Sequence, residues 1–73
     1  MFKIIKGETY DTEDAMYICK LYNSLTGVTR RLYERDQGEY FLCITQRSGS
    51  NRIKKIGWQK ARRIRMKSLS QKF

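Results

Sequence analysis

Histidine is absent from the 73 residues, and cysteine occurs only at Cys19 and Cys43. Without histidine the usual general base near neutral pH is missing, and neither thiol has an imidazole to make it a nucleophile. Two cysteines twenty-four positions apart do not make a zinc ligand set, so no metal or other cofactor is expected. Both fall at apolar positions of their segments and are expected as reduced core residues rather than a disulfide. No stretch approaches the roughly 20 apolar residues of a membrane span, and no signal-like segment is read, so one small intracellular domain is expected.

The last absence is one of charge sign. From Tyr40 to Phe73 there is no aspartate or glutamate, while Arg47, Arg52, Lys54, Lys55, Lys60, Arg62, Arg63, Arg65, Lys67 and Lys72 are all basic. All seven acids (Glu8, Asp11, Glu13, Asp14, Glu34, Asp36, Glu39) lie in the first 39 residues, nearly balanced there by six bases, so the net charge of +9 belongs to the second half. Like charges repel when compaction concentrates them, and such a block is expected to meet phosphate or an acidic protein surface.

Phe2, Ile4 and Ile5 predict a short strand ending in a turn at Lys6-Gly7-Glu8. Asp11 or Thr12 then reads as a helix cap, with Glu13 and Asp14 favouring the positive end of the dipole. Ala15, Ile18, Cys19, Tyr22 and Leu25 recur at helical spacing before Gly27, which predicts a helix from about Thr12 to Leu25. The three acids at its start are read as capping groups rather than an acid–base pair, and no enzyme is expected. Alternation from Val28 to Arg35 puts Val28, Arg30 and Leu32 on one side and Thr29, Arg31 and Tyr33 on the other. A turn over Glu34–Glu39, with Gly38 at positive φ, leads into Tyr40–Thr45, apolar on both faces like a strand inside a sheet. After a polar loop over 47–51, Arg52–Ile56 predicts a short edge strand whose lysines discourage unwanted pairing. No proline interrupts Trp58 to about Ser70, which predicts a second helix with Trp58, Ala61, Ile64 and Leu69 on one side and Lys60, Arg63 and Lys67 on the other. That helix is expected to dock by Trp58 and then fray. The expected class is α+β in the order β-α-β-β-(β)-α, with a core over residues 1–46 and a basic loop, strand and helix over 47–73.

Lysine and arginine neutralise phosphates whatever the base sequence. Arg47, Arg52, Lys54, Lys55, Lys60, Arg62, Arg63, Arg65 and Lys67 are therefore candidate contacts to nucleic acid or to an acidic partner. The run Ala61–Lys67 resembles in composition the arginine-rich helices that enter RNA grooves. Tyr33 and Tyr40 flank the hairpin turn, where they can pair across the strands or serve as stacking platforms if their face is open beside Arg31. No RNA-recognition signature, helix-turn-helix pattern, phosphate loop or zinc-finger spacing is present, so sequence-specific readout has no motif behind it. Lipid binding is not expected either, because Arg62 and Arg65 interrupt the apolar stripe of the basic helix.

Two segments carry a family resemblance: Lys3-Ile4-Ile5-Lys6-Gly7-Glu8-Thr9-Tyr10-Asp11-Thr12-Glu13-Asp14-Ala15 and Leu32-Tyr33-Glu34-Arg35-Asp36-Gln37-Gly38-Glu39-Tyr40-Phe41-Leu42. Together they resemble a widespread group of small phage and mobile-element proteins of Gram-positive bacteria, over roughly residues 3 to 44, with a weaker echo at Gly57-Trp58-Gln59-Lys60-Ala61. Members of that group occur in anti-CRISPR loci, and some inhibitors of CRISPR effector nucleases carry a similar module. The resemblance implies a non-enzymatic inhibitor, acting in the bacterial cytoplasm, that binds a CRISPR effector ribonucleoprotein or another nucleic-acid-dependent complex. A small basic DNA- or RNA-binding accessory or regulatory protein is the alternative. The matched positions are turn glycines, capping acids and core aromatics, which bear on architecture more than mechanism. The group usually ends in an acidic helix and this chain in a basic one, which argues against DNA mimicry and for engaging nucleic acid or the acidic patches of a ribonucleoprotein.

Overall fold

The computed structural model describes residues 2–35 and 38–70. Six antiparallel strands precede one helix: β1 (Phe2–Ile5), β2 (Glu8–Asp11), β3 (Met16–Asn23), β4 (Val28–Glu34), β5 (Tyr40–Thr45), β6 (Asn51–Ile56) and α1 (Trp58–Ser70). β1 and β2 form a sheet of their own, while β3, β4, β5 and β6 neighbour one another in that order in a four-stranded sheet. The class is α+β as expected, but six strands come before a single helix.

The central hairpin follows the alternation in the sequence. Leu32 lies opposite Leu42 and Tyr33 opposite Phe41. Successive side chains then point to opposite faces, so Val28, Leu32, Tyr40, Leu42 and Ile44 join the core beneath α1, and Tyr33 and Phe41 join a second core on the far face. β5 is paired on both sides, and its Phe41, Leu42, Cys43 and Ile44 are all buried. Gly38 takes φ 78°, the left-handed conformation expected of it. Of the turn expected over Glu34–Glu39, Asp36 and Gln37 lie outside the described residues. β6 forms the anticipated edge, with Ile53 and Ile56 buried and Lys54 and Lys55 exposed.

The helix expected over Thr12–Leu25 does not form; most of that segment is β3. Asp11 Oδ1 accepts the Glu13 N–H at 3.0 Å, and the Asp11 carbonyl accepts the Asp14 N–H at 3.2 Å, so these acids close a turn between β2 and β3. A short side-chain acceptor that caps a helix closes an Asx turn equally well. A bulge between Tyr17 and Cys19 then turns both Ile18 and Cys19 toward the core beneath α1. That adjacent apolar pair, on a bulged strand, mimics the i+3, i+4 pair of a helical stripe. Gly27 imitates a helix stop for a related reason. Its N–H donates to the Asn23 carbonyl at 2.8 Å with φ 72°, which makes one isolated helical turn closed by a left-handed residue. Leu25, assigned to the buried stripe, is 91% exposed in that turn.

Gly27 is also crowded, since a Cβ there would lie 3.0 Å from the Cβ, Cγ and Cδ of Arg47. Gly27→Ala is expected to destabilise the fold by about 1 to 2 kcal/mol, from left-handed strain plus displacement of Arg47. Gly38→Ala, with nothing within 4 Å of the added carbon, should lose less. Urea titrations of the two variants check this; equal losses would mean that the Arg47 contact contributes nothing.

β1 and its turn appear as expected, with Lys6 at φ 50° and Gly7 at φ 80°, both positive as a two-residue type I′ hairpin requires. β2 was not expected, because Glu8-Thr9-Tyr10-Asp11 has one aromatic among three polar residues. Tyr10 accounts for it. Fully buried, its ring packs edge-on to Phe41, with centroids 5.6 Å apart, and the Arg35 guanidinium lies 4.8 Å above it. Arg35 also bridges Glu8 at 3.4 Å and pairs with Glu39, which clamps the β1–β2 hairpin onto the sheet face opposite α1.

α1 is helical to Ser70, the last described residue, and it docks through Ala61, Ile64 and Ser68 rather than Trp58, which is 58% exposed. The Ser68 hydroxyl donates to the Lys20 carbonyl of β3 at 2.8 Å. Beginning beside β6 and ending on β3, the helix therefore crosses the whole sheet. Cys19 belongs to the core beneath it, and Cys43 points to the opposite face, paired in register with Arg31. Among the described residues no helix is long and apolar enough to cross a membrane.

Candidate nucleic-acid interface

Burying Ala61, Ile64 and Ser68 leaves α1 with two exposed flanks at about 100° per residue. One carries Lys60, Arg63 and Lys67; the other carries Trp58, Arg62 and Arg65. On the neighbouring edge strand, Arg52 pairs with Ile44 and Lys54 with Leu42, which sets both bases on the helix-bearing face of the sheet. Lys55 pairs with Phe41 and so belongs to the far face, beside the groove of Lys3 and Ile53. Arg47 is exposed in the β5–β6 loop with its side chain against Gly27. Seven of the nine candidate bases thus lie on the helix side (Arg52, Lys54, Lys60, Arg62, Arg63, Arg65, Lys67), while Arg47 and Lys55 lie elsewhere.

Electrostatics identify the tightest part of this face. The Lys60 ammonium is held below the ordinary lysine range, first by the charge of Lys54, then by partial loss of water and the charges of Arg30 and Arg63. Charges from β4, β6 and α1 (Arg30, Lys54 and Arg63) thus act on Lys60. Among the described residues no carboxylate forms an ion pair with any of the four. Beside them, Asn23, Thr26, Gln46, Arg30 and Arg52 surround a groove of about 380 Å³ over Val28 and Ile44. Arg30 was not among the candidate bases. Its signal was its place in the Val28, Arg30, Leu32 alternation, an arginine pointing to a core face, and here α1 leaves that end of the face uncovered.

Tyr33 and Tyr40 do not pair across the strands. Tyr40 lies opposite Glu34, and the two tyrosines point to opposite faces. Tyr33 is stacked on Phe41, with centroids 5.3 Å apart and planes at 10°, and packs edge-on to Tyr17 at 5.7 Å. Burial raises the pKa of its phenol, with Cys43 adding to the rise and Arg31 opposing it. Tyr40 instead borders the cleft under the start of α1, together with Trp58.

No family model, curated protein or solved structure matches the chain. The arrangement is therefore read from its own chemistry. A convergent, unneutralised set of Lys and Arg can hold the oxygens of two or more neighbouring phosphates, and each phosphate so bound relieves repulsion already present in the fold. Among the described residues no cluster of three or more carboxylate or cysteine side chains is placed to hold a metal ion.

The same repulsion makes a stability prediction. Lys60 has a folded-state pKa below its unfolded value, so below that folded pKa, and hence at pH 7, its charge costs the fold the full amount. The cost fades as pH rises through the lowered pKa toward the unfolded one. Lys60→Gln is expected to raise stability at pH 7 by about 0.3 kcal/mol, the scale of one solvent-screened like-charge contact. Thermal unfolding at pH 7 tests the sign, and a destabilised variant would mean that Lys54 and Lys60 do not repel as placed.

Proposed function

We propose that this protein is a non-enzymatic binder of nucleic-acid backbone, with Arg30, Arg52, Lys54, Lys60 and Arg63 as the centre of its contact surface and the second flank of α1 extending it. The single observation that carries the reading is geometric: the strand register sets Arg30, Arg52 and Lys54 on the sheet face that bears α1, whose flank carries Lys60 and Arg63, and among the described residues no carboxylate forms an ion pair with any of them. A fold that holds such charges together is more stable with an anion present, and a regular row of phosphates supplies several at once. DNA and RNA share that backbone. Asn23, Thr26 and Gln46 beside the cluster add neutral donors and acceptors suited to sugar and phosphate oxygens.

The resemblance to small phage proteins supplies a setting for this chemistry. In that setting the bound nucleic acid belongs to a CRISPR effector complex in the bacterial cytoplasm, and binding blocks the effector. Adding the purified protein to an effector cleavage reaction tests the setting separately from the binding.

Binding to labelled random-sequence duplex DNA and to structured RNA, at about 50 and 200 mM salt, tests the core of the proposal. Four to six phosphate contacts should lower the affinity roughly a hundred- to thousandfold between the two salt concentrations. No binding to either nucleic acid at 50 mM would overturn the reading and make the basic face a dock for acidic protein.

A further inference from the structure

The cleft on the other flank of α1 has a different character from the cationic cluster. It measures about 300 Å³, near the lower end of small-ligand pockets. Leu32 and Ala61, both almost fully buried, form its floor. Tyr40 and Trp58 stand at its sides, and the exposed side chains of Arg62 and Arg65 complete its rim, with no acid among the lining residues. Trp58 is the only tryptophan of the chain, and the docking of α1 by Ala61, Ile64 and Ser68 leaves most of it in water. An aromatic pair over an apolar floor suits a flat, uncharged ring. Two arginines at the rim suit anions attached to that ring on either side.

We propose that this cleft receives one unpaired nucleobase, stacked on Trp58, with the phosphates flanking it held by Arg62 and Arg65. The inference rests on the nucleic-acid reading above and deepens it: beyond the phosphate backbone, the preferred substrate becomes single-stranded nucleic acid, or a duplex with an unpaired base. Stacking on an aromatic face tolerates every base, which agrees with a chain that carries no sequence-reading motif. Continuity with the cationic cluster also favours this occupant over the aromatic residue of a peptide. Lys60 and Arg63 stand one turn or less from Trp58 and Arg62, so a strand whose base enters the cleft can run its backbone across α1 onto the other flank.

The test uses the full chain with a twelve-nucleotide oligothymidine and a blunt duplex of equal length at 50 mM salt, followed by Trp58 fluorescence and by anisotropy of labelled strands. The single strand is expected to bind and quench the tryptophan; the blunt duplex is expected to bind without quenching. Trp58→Ala should weaken single-strand binding by about tenfold and duplex binding by far less, with Trp58→Phe recovering most of the loss. Because Trp58 is largely exposed, circular dichroism of the variant should match the parent chain. Binding of both nucleic acids without quenching, or equal losses on both from Trp58→Ala, would overturn the base pocket and leave the backbone-binding proposal standing. Binding of neither would overturn both.

Discussion

Exchanging Lys54, Lys60 and Arg63 together for glutamine will flatten the salt dependence of nucleic-acid binding by about 2 to 3 in logarithmic slope, since each lost phosphate contact removes about 0.7 to 0.9. The three side chains come from two elements and are exposed, so the fold should survive their loss. A control with the same change in net charge is available in Lys6, Lys20 and Lys55. These lie in the β1–β2 turn and on the far face of the sheet, outside the cluster. If binding is a property of the helix face, the control should move the slope by less than one contact. Equal effects of the two triple substitutions would mean that net charge alone attracts the nucleic acid and that the convergence has no role. The measurement is affinity at four or more salt concentrations for each protein.

Leu42→Ala is expected to cost about 2 to 5 kcal/mol, enough to leave so small a domain largely unfolded at 37 °C. Leu42 is 1% exposed at the middle of β5, facing Leu32 across the hairpin and lying under α1. Neighbouring strands hold it on both sides, so the cavity left by truncation has little freedom to collapse. Far-ultraviolet circular dichroism in urea gives the loss directly, and a value below about 1 kcal/mol would contradict a core organised around β5. The same experiment separates the two cores. Phe41→Ala removes the contacts that hold Tyr10 and Tyr33, so it should release the β1–β2 hairpin in addition to weakening the sheet.

The parts of the fold that could be read in advance are those whose signals are local. Val28–Glu34 and Tyr40–Thr45 alternate with a period of two or run apolar between turn residues, and they form the central hairpin, although its register sets Tyr33 opposite Phe41 rather than Tyr40. The edge strand and α1 were legible for the same reason. The segment from Asp11 to Gly27 misled because each of its signals has two physical meanings. An acid with a free acceptor caps a helix or closes an Asx turn, a glycine at positive φ ends a helix or a single turn, and adjacent apolar residues mark a helical stripe or a bulged strand. What decides among them is partnership. β3 gains a ladder to β4 and a place beneath α1, and a helix there would leave β4 as an unpaired edge with Leu32 uncovered.

The candidate site divides along the same line. That the second half of the chain is a polycation without acids follows from composition, because charge does not depend on where the backbone goes. Which bases act together does not follow from it. Arg30 comes from a strand thirty residues before Lys60, Lys55 turns away from Lys54 by one step of the pleat, and Trp58 leaves the core because α1 docks one turn further along. Proximity is a property of the fold, and only the packing of α1 across β3-β4-β5-β6 places Lys60 in the field of Arg30, Lys54 and Arg63.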